Sequence, residues 1–172
     1  MGKIELIATT TFGLEAVAKR ELESLGHSGM KVENGKIEYV GELVDIVRSN
    51  LWLRTADRVL VKMAEFKALS FDELFEGVKA IPWEDWIPED GNFIVDGKSL
   101  NSKLYSISDS QRITEKAIVE RLKQAYPVEW FSKSGPRFRV EVSILKDIAT
   151  ITLDTSGDGL HKRGYRDRAG DR

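Results

Sequence analysis

The stretch KVENGKIEYV, residues 31–40, contains two short runs of strand-forming residues on either side of Asn34 and Gly35. Asn-Gly is the pair that best supplies the two positive-φ positions of a type I′ turn, which joins neighbouring antiparallel strands. Residues 30–33 and 36–40 are therefore predicted to form a β-hairpin closed by a type I′ turn at Asn34-Gly35.

A strand and a helix are predicted on each side of this hairpin. Residues 3–9 alternate as a partly buried strand does, and the apolar residues of 14–25 recur at helical spacing before Gly26, a typical helix C-cap. Residues 43–51 return to helical spacing, and residues 58–66 return to an extended pattern. The predicted order β-α-β-β-α-β defines a ferredoxin-like module.

A second α/β module, with its own core and its own sheet, is predicted from about residue 67 onward. Residues 70–73 and 108–111 match the capping-box pattern that begins a helix. The predicted elements are helices at 70–78 and 108–126, strands at 92–98, 138–144 and 148–153, and a mixed sheet. The fold class is therefore α/β (α+β).

Residues 82–88 lie between two prolines and contain two tryptophans. Tryptophan is highly buried on average, so these side chains are expected to fill the edge of a core instead of stacking on bases. The acidic residues of this segment, Glu84 and Asp85, are expected to be solvated.

The chain of 172 residues is 41% hydrophobic and contains no cysteine. That apolar fraction is sufficient for a globular core, and the lack of thiols excludes disulfides and cysteine-ligated zinc. No stretch has the uninterrupted apolar length of a membrane span. We expect a cytoplasmic protein that does not contact a membrane.

The net charge of −2 hides two regions of opposite sign. Residues 1–97 hold 11 Lys or Arg against 18 Asp or Glu, a net charge of −7, whereas residues 98–172 hold 15 against 10, a net charge of +5. Such asymmetry favours contact between the C-terminal half and a polyanion, although an uneven surface without a partner also fits.

Two neighbouring segments carry the residue types that bind a nucleic-acid backbone. Arg112, Lys116 and Lys123 fall within a narrow arc of the predicted long helix and form a basic stripe, which Val119 interrupts. Residues 98–103 combine lysines with hydroxyl and amide donors, and they lead into the N-terminus of that helix, where free amides attract phosphate. A solvated lysine-rich face explains the helix equally well.

No catalytic constellation is recognisable in the sequence. Ser156, Asp158 and His161 are too close together for a catalytic triad, and they lack its nucleophile elbow. Two histidines without cysteine are too few for a transition-metal site, and a calcium loop from Asp154 would need Glu where Tyr165 stands. With no Walker sequence and no Gly-x-Gly-x-x-Gly turn, we expect no catalytic residue, metal or cofactor in this chain.

Four segments resemble the bacterial 23S rRNA guanine-N2 methyltransferases. Residues 154–166, DTSGDGLHKRGYR, are similar to the junction between the THUMP and methyltransferase domains of that family. Residues 8–15, ATTTFGLE, are similar to the family's N-terminal segment, and residues 51–58, LWLRTADR, and 98–104, KSLNSKL, resemble further segments. The likeness extends over essentially the whole chain.

The resemblance implies a ferredoxin-like domain at residues 1–66, a THUMP RNA-binding domain at 67–166 and, at 167–172, the start of a linker to a catalytic domain absent from this chain. In that family the catalytic domain uses S-adenosylmethionine and an Asn-Pro-Pro-Tyr-type loop, and neither that loop nor the glycine turn for the cofactor occurs here. We therefore expect a fragment that is not itself an enzyme, whose full-length parent is an S-adenosylmethionine-dependent RNA methyltransferase.

The resemblance also implies that the basic residues bind structured RNA, in particular 23S rRNA, in rRNA processing. The predicted RNA-binding residues are Lys98, Ser99, Ser102, Lys103, Arg112, Lys116, Lys162, Arg163 and Arg166. The alternative is a ferredoxin-like protein-interaction or small-ligand regulatory module, which leaves the positive charge of the C-terminal half unexplained.

Overall fold

The computed structural model describes residues 2–127 and 134–155. The chain divides into two compact units. The first is built from residues up to Lys62 together with Asp154 and Thr155, and the second is Met63–Leu153. Among the helices in this described part of the chain, none is long and apolar enough to cross a membrane.

The first unit combines antiparallel strands with two helices. Its elements are β1 (Ile4–Thr10), α1 (Glu15–Ser24), β2 (Lys31–Glu33), β3 (Lys36–Gly41), α2 (Leu43–Trp52) and the first part of β4 (Ala56–Lys67). β1 lies between β3 and β4 and is antiparallel to both, and β2 is antiparallel to β3. The predicted β-α-β-β-α-β order and the ferredoxin-like fold are confirmed.

The core of this unit follows from the two periodicities in the sequence. Leu6 and Ala8 of β1 are fully buried, as are Ala18 and Leu22 of α1. Alternate positions of a strand and positions three or four apart on a helix each share one face, so these side chains meet. Gly26 ends α1 with a φ of +97°, the left-handed conformation expected of a C-terminal cap.

The hairpin between β2 and β3 is present, but its turn differs from the prediction. Asn34 and Gly35 form a two-residue loop in which only Gly35 has a positive φ, of +76°. A type I′ turn needs two positive values, so that assignment was wrong. The Gly35 amide donates to the Glu15 carboxylate at 3.3 Å, a tertiary contact that turn statistics do not include. Two consecutive positive φ values, +49° and +66°, occur instead at Lys146 and Asp147.

The second unit also combines strands and helices. Its further elements are α3 (Phe71–Lys79), a 3-10 turn (Trp83–Asp85), β5 (Asn92–Leu100), α4 (Ile107–Ala125), β6 (Arg137–Leu145) and β7 (Ile148–Asp154). β5 and β6 are parallel, whereas β6 and β7 are antiparallel. The predicted mixed sheet is confirmed, and α4 packs against both α3 and β5.

Along the sheet, the seven strands follow the order β2-β3-β1-β4-β7-β6-β5. The expectation of two separate sheets was therefore wrong. The reason is β4, which has 12 residues and extends well past the residues that pair with β1. Hydrophobic periodicity locates a strand but does not say which strands become its neighbours.

The two predicted helix starts had different outcomes. At α3, the Ser70 hydroxyl accepts a hydrogen bond from the Glu73 amide at 3.1 Å, which confirms the predicted N-cap. At α4, the cap is Ser106, whose hydroxyl accepts from the Asp109 amide at 3.3 Å. The predicted cap at Ser108 was wrong because this residue already lies in the first turn of the helix.

The segment 82–88 is anchored by its tryptophans, as predicted. Trp83 and Trp86 are buried, and the Trp83 indole N–H donates to the Val78 carbonyl at 2.9 Å. The expectation that Glu84 is simply solvated was wrong. Its carboxylate accepts two hydrogen bonds from the Arg121 guanidinium of α4, at 2.8 and 3.0 Å, and this pairing holds the pKa of Glu84 below its usual range.

Candidate nucleic-acid interface

The segment 98–103 begins at the end of β5. Lys98 has 69% of its side chain exposed, and its ammonium nitrogen lies 3.1 Å from a Glu141 carboxylate oxygen on β6. The Ser99 hydroxyl donates to the Leu104 carbonyl at 2.7 Å. Lys98 is therefore accessible but paired, while Ser99 stabilises the chain that follows it.

Two loops are tied together next to this segment, and we call residues 101–106 and 146–147 the linked loops. The Asp147 carboxylate accepts from the Lys103 amide at 2.7 Å, and the Ser102 hydroxyl accepts from the Asp147 amide at 3.0 Å. The Ser102 hydroxyl itself donates to the Leu100 carbonyl at 2.9 Å. The hydroxyls of Ser99 and Ser102 thus hold the backbone in place, and the exposed lysines remain as the groups able to reach a phosphate.

The three residues of the basic stripe are all exposed on α4. Arg112 forms an ion pair with Asp109 at 2.8 Å, whereas Lys116 and Lys123 have no carboxylate partner among residues 2–127 and 134–155. Val119 is partly buried, so the stripe is interrupted as the sequence indicated. The basic stripe is therefore present on the surface of α4, and two of its three cations form no ion pair with a described side chain.

Lys98 and α4 lie on opposite faces of the sheet of the second unit. A Cβ atom at Gly97 would lie 2.8 Å from Cγ of Gln111, so α4 covers the face to which position 97 points. The Gln111 amide also donates to the Val95 carbonyl of β5 at 3.1 Å. Successive side chains of a strand point to opposite faces, so Lys98 points away from α4. The structure therefore does not bring Lys98 together with the basic stripe.

The N-terminus of α4 is less favourable for an anion than the sequence suggested. The Ser106 hydroxyl already accepts from one of its amides, and the Asp109 carboxylate lies in the first turn. A carboxylate at this position satisfies the positive end of the helix dipole and repels a second anion. Phosphate contacts are better placed on the linked loops and on the stripe.

Two exposed residues on the linked loops were missing from the sequence-based set. Lys146 lies in the β6–β7 turn, and Tyr105 lies just before α4 with 83% of its surface exposed. Lys146 could have been found as a cation in a predicted turn, but no local pattern places that turn beside residues 101–106. Lys162, Arg163 and Arg166 lie outside the described residues.

In the described ranges, no group of three or more His, Cys, Asp or Glu side chains is placed to hold a metal ion.

Comparison with known proteins assigns both parts of the chain. Residues 5–60 match the RlmL ferredoxin-like domain, and residues 68–154 match the THUMP domain. The fold is thus that of a ferredoxin-like domain followed by a THUMP domain. The chain belongs to the family of THUMP-domain-containing RNA methyltransferases.

Three relatives match almost the whole chain. YpsC of Bacillus subtilis (strain 168), named as an RNA methyltransferase, is 54% identical over 168 residues, which are 96% of this chain and 43% of YpsC. A crystal structure from Listeria monocytogenes str. 4b F2365, named as an N6-adenine-specific DNA methylase, has 53% identity and a TM-score of 0.87, covering 96% of this chain and 44% of that protein. The structure of SMU.472, named as a methyltransferase complexed with SAH, has 42% identity and a TM-score of 0.86, covering 96% and 45%. The chain therefore spans less than half the length of these relatives.

These comparisons correct one expectation. The prediction that this chain is not an enzyme is wrong, because relatives more than 50% identical over 96% of it are named as methyltransferases and a similar structure contains SAH. The prediction rested on missing sequence motifs. Such motifs occupy a few residues, and their absence from one stretch of sequence was too weak an argument against the activity.

Proposed function

We propose that the protein is an S-adenosylmethionine-dependent RNA methyltransferase in which these residues bind structured RNA. The observation that carries the proposal is the THUMP match over residues 68–154 within a chain aligned to methyltransferases over 96% of its length. The proposed substrate is 23S rRNA, the proposed product is N2-methylguanosine, and the proposed location is the cytoplasm. The positive charge of residues 98–172 is consistent with a nucleic-acid substrate.

S-adenosylmethionine is the proposed methyl donor, and the SAH in the SMU.472 structure supports this assignment. When bound, the donor supplies an electrophilic methyl group and leaves as S-adenosylhomocysteine. Between residues 2–127 and 134–155 no glycine-rich turn of the Gly-x-Gly-x-x-Gly type joins a strand to a helix, so we assign the donor to none of these residues.

The proposed RNA contacts differ in character. Lys103, Lys116 and Arg112 are exposed cations able to reach phosphate oxygens, although Arg112 must share its guanidinium with Asp109. Lys98 can contribute if it exchanges Glu141 for a phosphate, and Ser99 and Ser102 act by holding the loop. Lys162, Arg163 and Arg166 complete the proposed set through their charge. Such contacts to the backbone position an RNA more than they read its sequence.

The RNA-binding part of the proposal is tested by charge reversal. Fluorescence anisotropy would compare the wild-type chain with the double variants Arg112→Glu/Lys116→Glu and Lys19→Glu/Arg20→Glu, the latter pair being exposed on α1. The first variant should weaken binding to structured 23S rRNA fragments by a similar factor across sequences, and the second should change it little. Equal losses would indicate diffuse attraction, and no loss from either would favour a protein-interaction or ligand-binding module.

Salt dependence gives the number of contacts. If roughly four cations neutralise phosphates, log affinity should fall against log salt with a slope of about −3 for single-stranded RNA, since each contact contributes about −0.7. The Arg112→Glu/Lys116→Glu variant should have a flatter slope. An unchanged slope would show that the stripe does not contact phosphate.

The methyl-transfer part needs a separate measurement. The protein would be incubated with isotope-labelled S-adenosylmethionine and unmodified 23S rRNA, and the digested nucleosides would be separated by mass spectrometry. We expect label in N2-methylguanosine. A parallel incubation replaces the rRNA with DNA, the substrate that the name of the Listeria relative gives for that protein, and label in the DNA but not in the rRNA would refute an RNA substrate.

A further inference from the structure

Tyr105 is a large aromatic side chain that the fold leaves uncovered. It has 83% of its surface exposed, whereas its neighbour Leu104 is buried. The Ser99 hydroxyl donates to the Leu104 carbonyl at 2.7 Å, so the residue before Tyr105 is fixed both by its side chain and by its backbone. Tyr105 is therefore presented to solvent from an anchored position.

The linked loops around Tyr105 are held in an uncommon backbone conformation. Within the described ranges, three residues other than glycine have a positive φ, and all three belong to these loops: Asn101 (+49°), Lys146 (+49°) and Asp147 (+66°). Such conformations are disfavoured for L-residues and persist where other contacts over-determine them. Here those contacts include hydrogen bonds from the Lys146 amide to the Leu100 carbonyl, at 3.2 Å, and from the Lys103 amide to Asp147.

Two cations accompany the aromatic ring. Lys103 and Lys146 are exposed, and neither has a carboxylate within ion-pair distance among residues 2–127 and 134–155. The hydrogen bonds between the loops bring the backbones of these two lysines together, although they are 43 positions apart in the sequence. Exposed ammonium groups on the same linked loops as an exposed ring match a phosphate backbone that carries an unstacked base.

An exposed apolar row lies at the same end of the sheet. Leu100 is opposite Leu145 in the β5–β6 register, and Leu145 is opposite Ile148 in the β6–β7 register. All three are exposed, and they immediately precede or adjoin the linked loops. Because these side chains are apolar, the sugar and the base of a nucleotide can pack against them without forming hydrogen bonds.

We propose that the linked loops form a site for an unpaired nucleotide, with Tyr105 stacking on its base and Lys103 and Lys146 contacting the flanking phosphates. This inference rests on the proposed RNA-binding function. Bases inside a duplex have both faces covered by their neighbours, so a single exposed ring can stack only on a base that is bulged, looped or terminal. The RNA substrate should therefore carry unpaired nucleotides at the position that meets this site.

The test compares two RNA hairpins that share one stem, one with a three-nucleotide bulge and one fully paired. Stacking on an aromatic side chain contributes enough that Tyr105→Ala should weaken binding of the bulged hairpin about 10-fold to 100-fold, and binding of the paired hairpin less than about 2-fold. Tyr105→Phe, which keeps the ring, should bind as the wild type does. Trp52→Ala, which removes an aromatic side chain 64% exposed in the first unit, should change neither affinity.

A spectroscopic measurement reports stacking directly. With 2-aminopurine in the bulge, the wild-type chain and Tyr105→Phe should quench its fluorescence on binding, and Tyr105→Ala should not. Equal weakening of both hairpins by Tyr105→Ala, or no weakening of either, would overturn the proposed nucleotide site.

Variants at Lys103 and Lys146 distinguish a failure of this inference from a failure of the proposed function. If Lys103→Glu/Lys146→Glu weakens RNA binding while Tyr105→Ala does not, RNA binding stands and the stacking role is refuted. If neither the lysine variant nor Arg112→Glu/Lys116→Glu weakens binding, the RNA-binding function itself fails.

Discussion

The ferredoxin-like unit fixes its loops with carboxylates, whereas the THUMP unit fixes its loops mainly with tryptophans and hydroxyls. In the first unit, the Glu15 carboxylate accepts from the Gly13 amide at 2.9 and 3.0 Å, and the Glu21 carboxylate accepts from the Arg54 amide at 2.7 Å. The hydrogen bond from Gly13 is the largest cause that lowers the pKa of Glu15.

In the second unit, the segment 82–88 is held by buried Trp83 and Trp86, and the linked loops are held by Ser102 together with a single carboxylate, that of Asp147. This difference does not account for the charge asymmetry of the sequence. Residues 1–62 hold nine Lys or Arg and nine Asp or Glu, so the net charge of −7 for residues 1–97 comes from residues 63–97, which belong to the second unit.

The largest effect should come from the tryptophan anchor. Trp83→Ala removes a fully buried side chain and its hydrogen bond to Val78, so it should lower the free energy of unfolding by about 3–5 kcal/mol. Urea denaturation followed by circular dichroism measures this loss. The matched control is Trp52→Ala, which should cost no more than about 0.5 kcal/mol because Trp52 is largely exposed. Similar costs for the two variants would contradict the anchoring role of Trp83.

A smaller effect, dependent on pH, should come from Glu21. Partial burial raises the pKa of this carboxyl, but hydrogen bonds from Arg54 and Thr55 outweigh burial and hold the pKa below its ordinary value of 4.5. Its stabilising contribution is therefore complete above about pH 4.5 and is lost as the pH falls through the lower, folded-state pKa. Glu21→Gln should cost about 1 kcal/mol at pH 7 and much less at pH 3.

Urea midpoints at the two pH values measure this difference, with Glu23→Gln as the control because Glu23 is exposed on the same helix. RNA affinity of the folded protein should be the same for both variants. A loss of affinity specific to Glu21→Gln would show that the first unit does more than fix its own loops.

Glu84 is a carboxylate of the second unit that accepts hydrogen bonds from a side chain, that of Arg121, and it tests how far the comparison extends. Glu84→Gln should lower stability by about 0.5–1 kcal/mol, because the bidentate pair with Arg121 is only partly buried and is screened by salt. Thermal denaturation at low and high salt should show the difference shrinking as salt rises. Glu89→Gln, at an exposed position nearby, should have no measurable effect. A loss that does not depend on salt would point to packing as its cause.

The smallest expected change in stability comes with a change in binding of the opposite sign. Lys146→Gly relieves a positive φ and should raise stability by about 0.5 kcal/mol. The same substitution removes a cation that has no carboxylate partner among the described residues, so RNA binding should weaken and the salt slope should shrink by about 0.7. Chemical denaturation and salt-dependent anisotropy on one sample measure both quantities. If stability and affinity moved together, the linked loops would be a structural feature instead of a binding surface.

Some of the molecule could be predicted from local patterns. The alternation of Phe138, Val140 and Val142 gave the buried face of β6, and the spacing of Ala18 and Leu22 gave the buried face of α1. Both are short-range consequences of backbone geometry, in which residues two apart on a strand or three to four apart on a helix share a side. The order of elements in the first unit followed from the same rule.

Other features were predicted wrongly because they depend on partners far away in the sequence. The turn at Asn34 and Gly35 is constrained by Glu15, and Glu84 meets Arg121 on a helix 37 residues later. The cap of α4 is Ser106 and not the predicted Ser108, because the helix begins two residues earlier than the capping-box pattern indicated. At Gly35 and at Glu84, a contact with a distant residue was not visible in the local pattern.

The sequence by itself determined the strands and helices, their periodic buried faces, the charge asymmetry and the segments that resemble THUMP methyltransferases. The tertiary structure alone decided which exposed groups become neighbours. It separated Lys98 from the basic stripe, because adjacent strand positions face opposite sides of a sheet, and it joined Lys103 to the turn at Lys146 through Asp147. The physical reason is that spacing along the chain fixes only the direction of each side chain, whereas strand pairing and loop contacts fix which distant backbones meet.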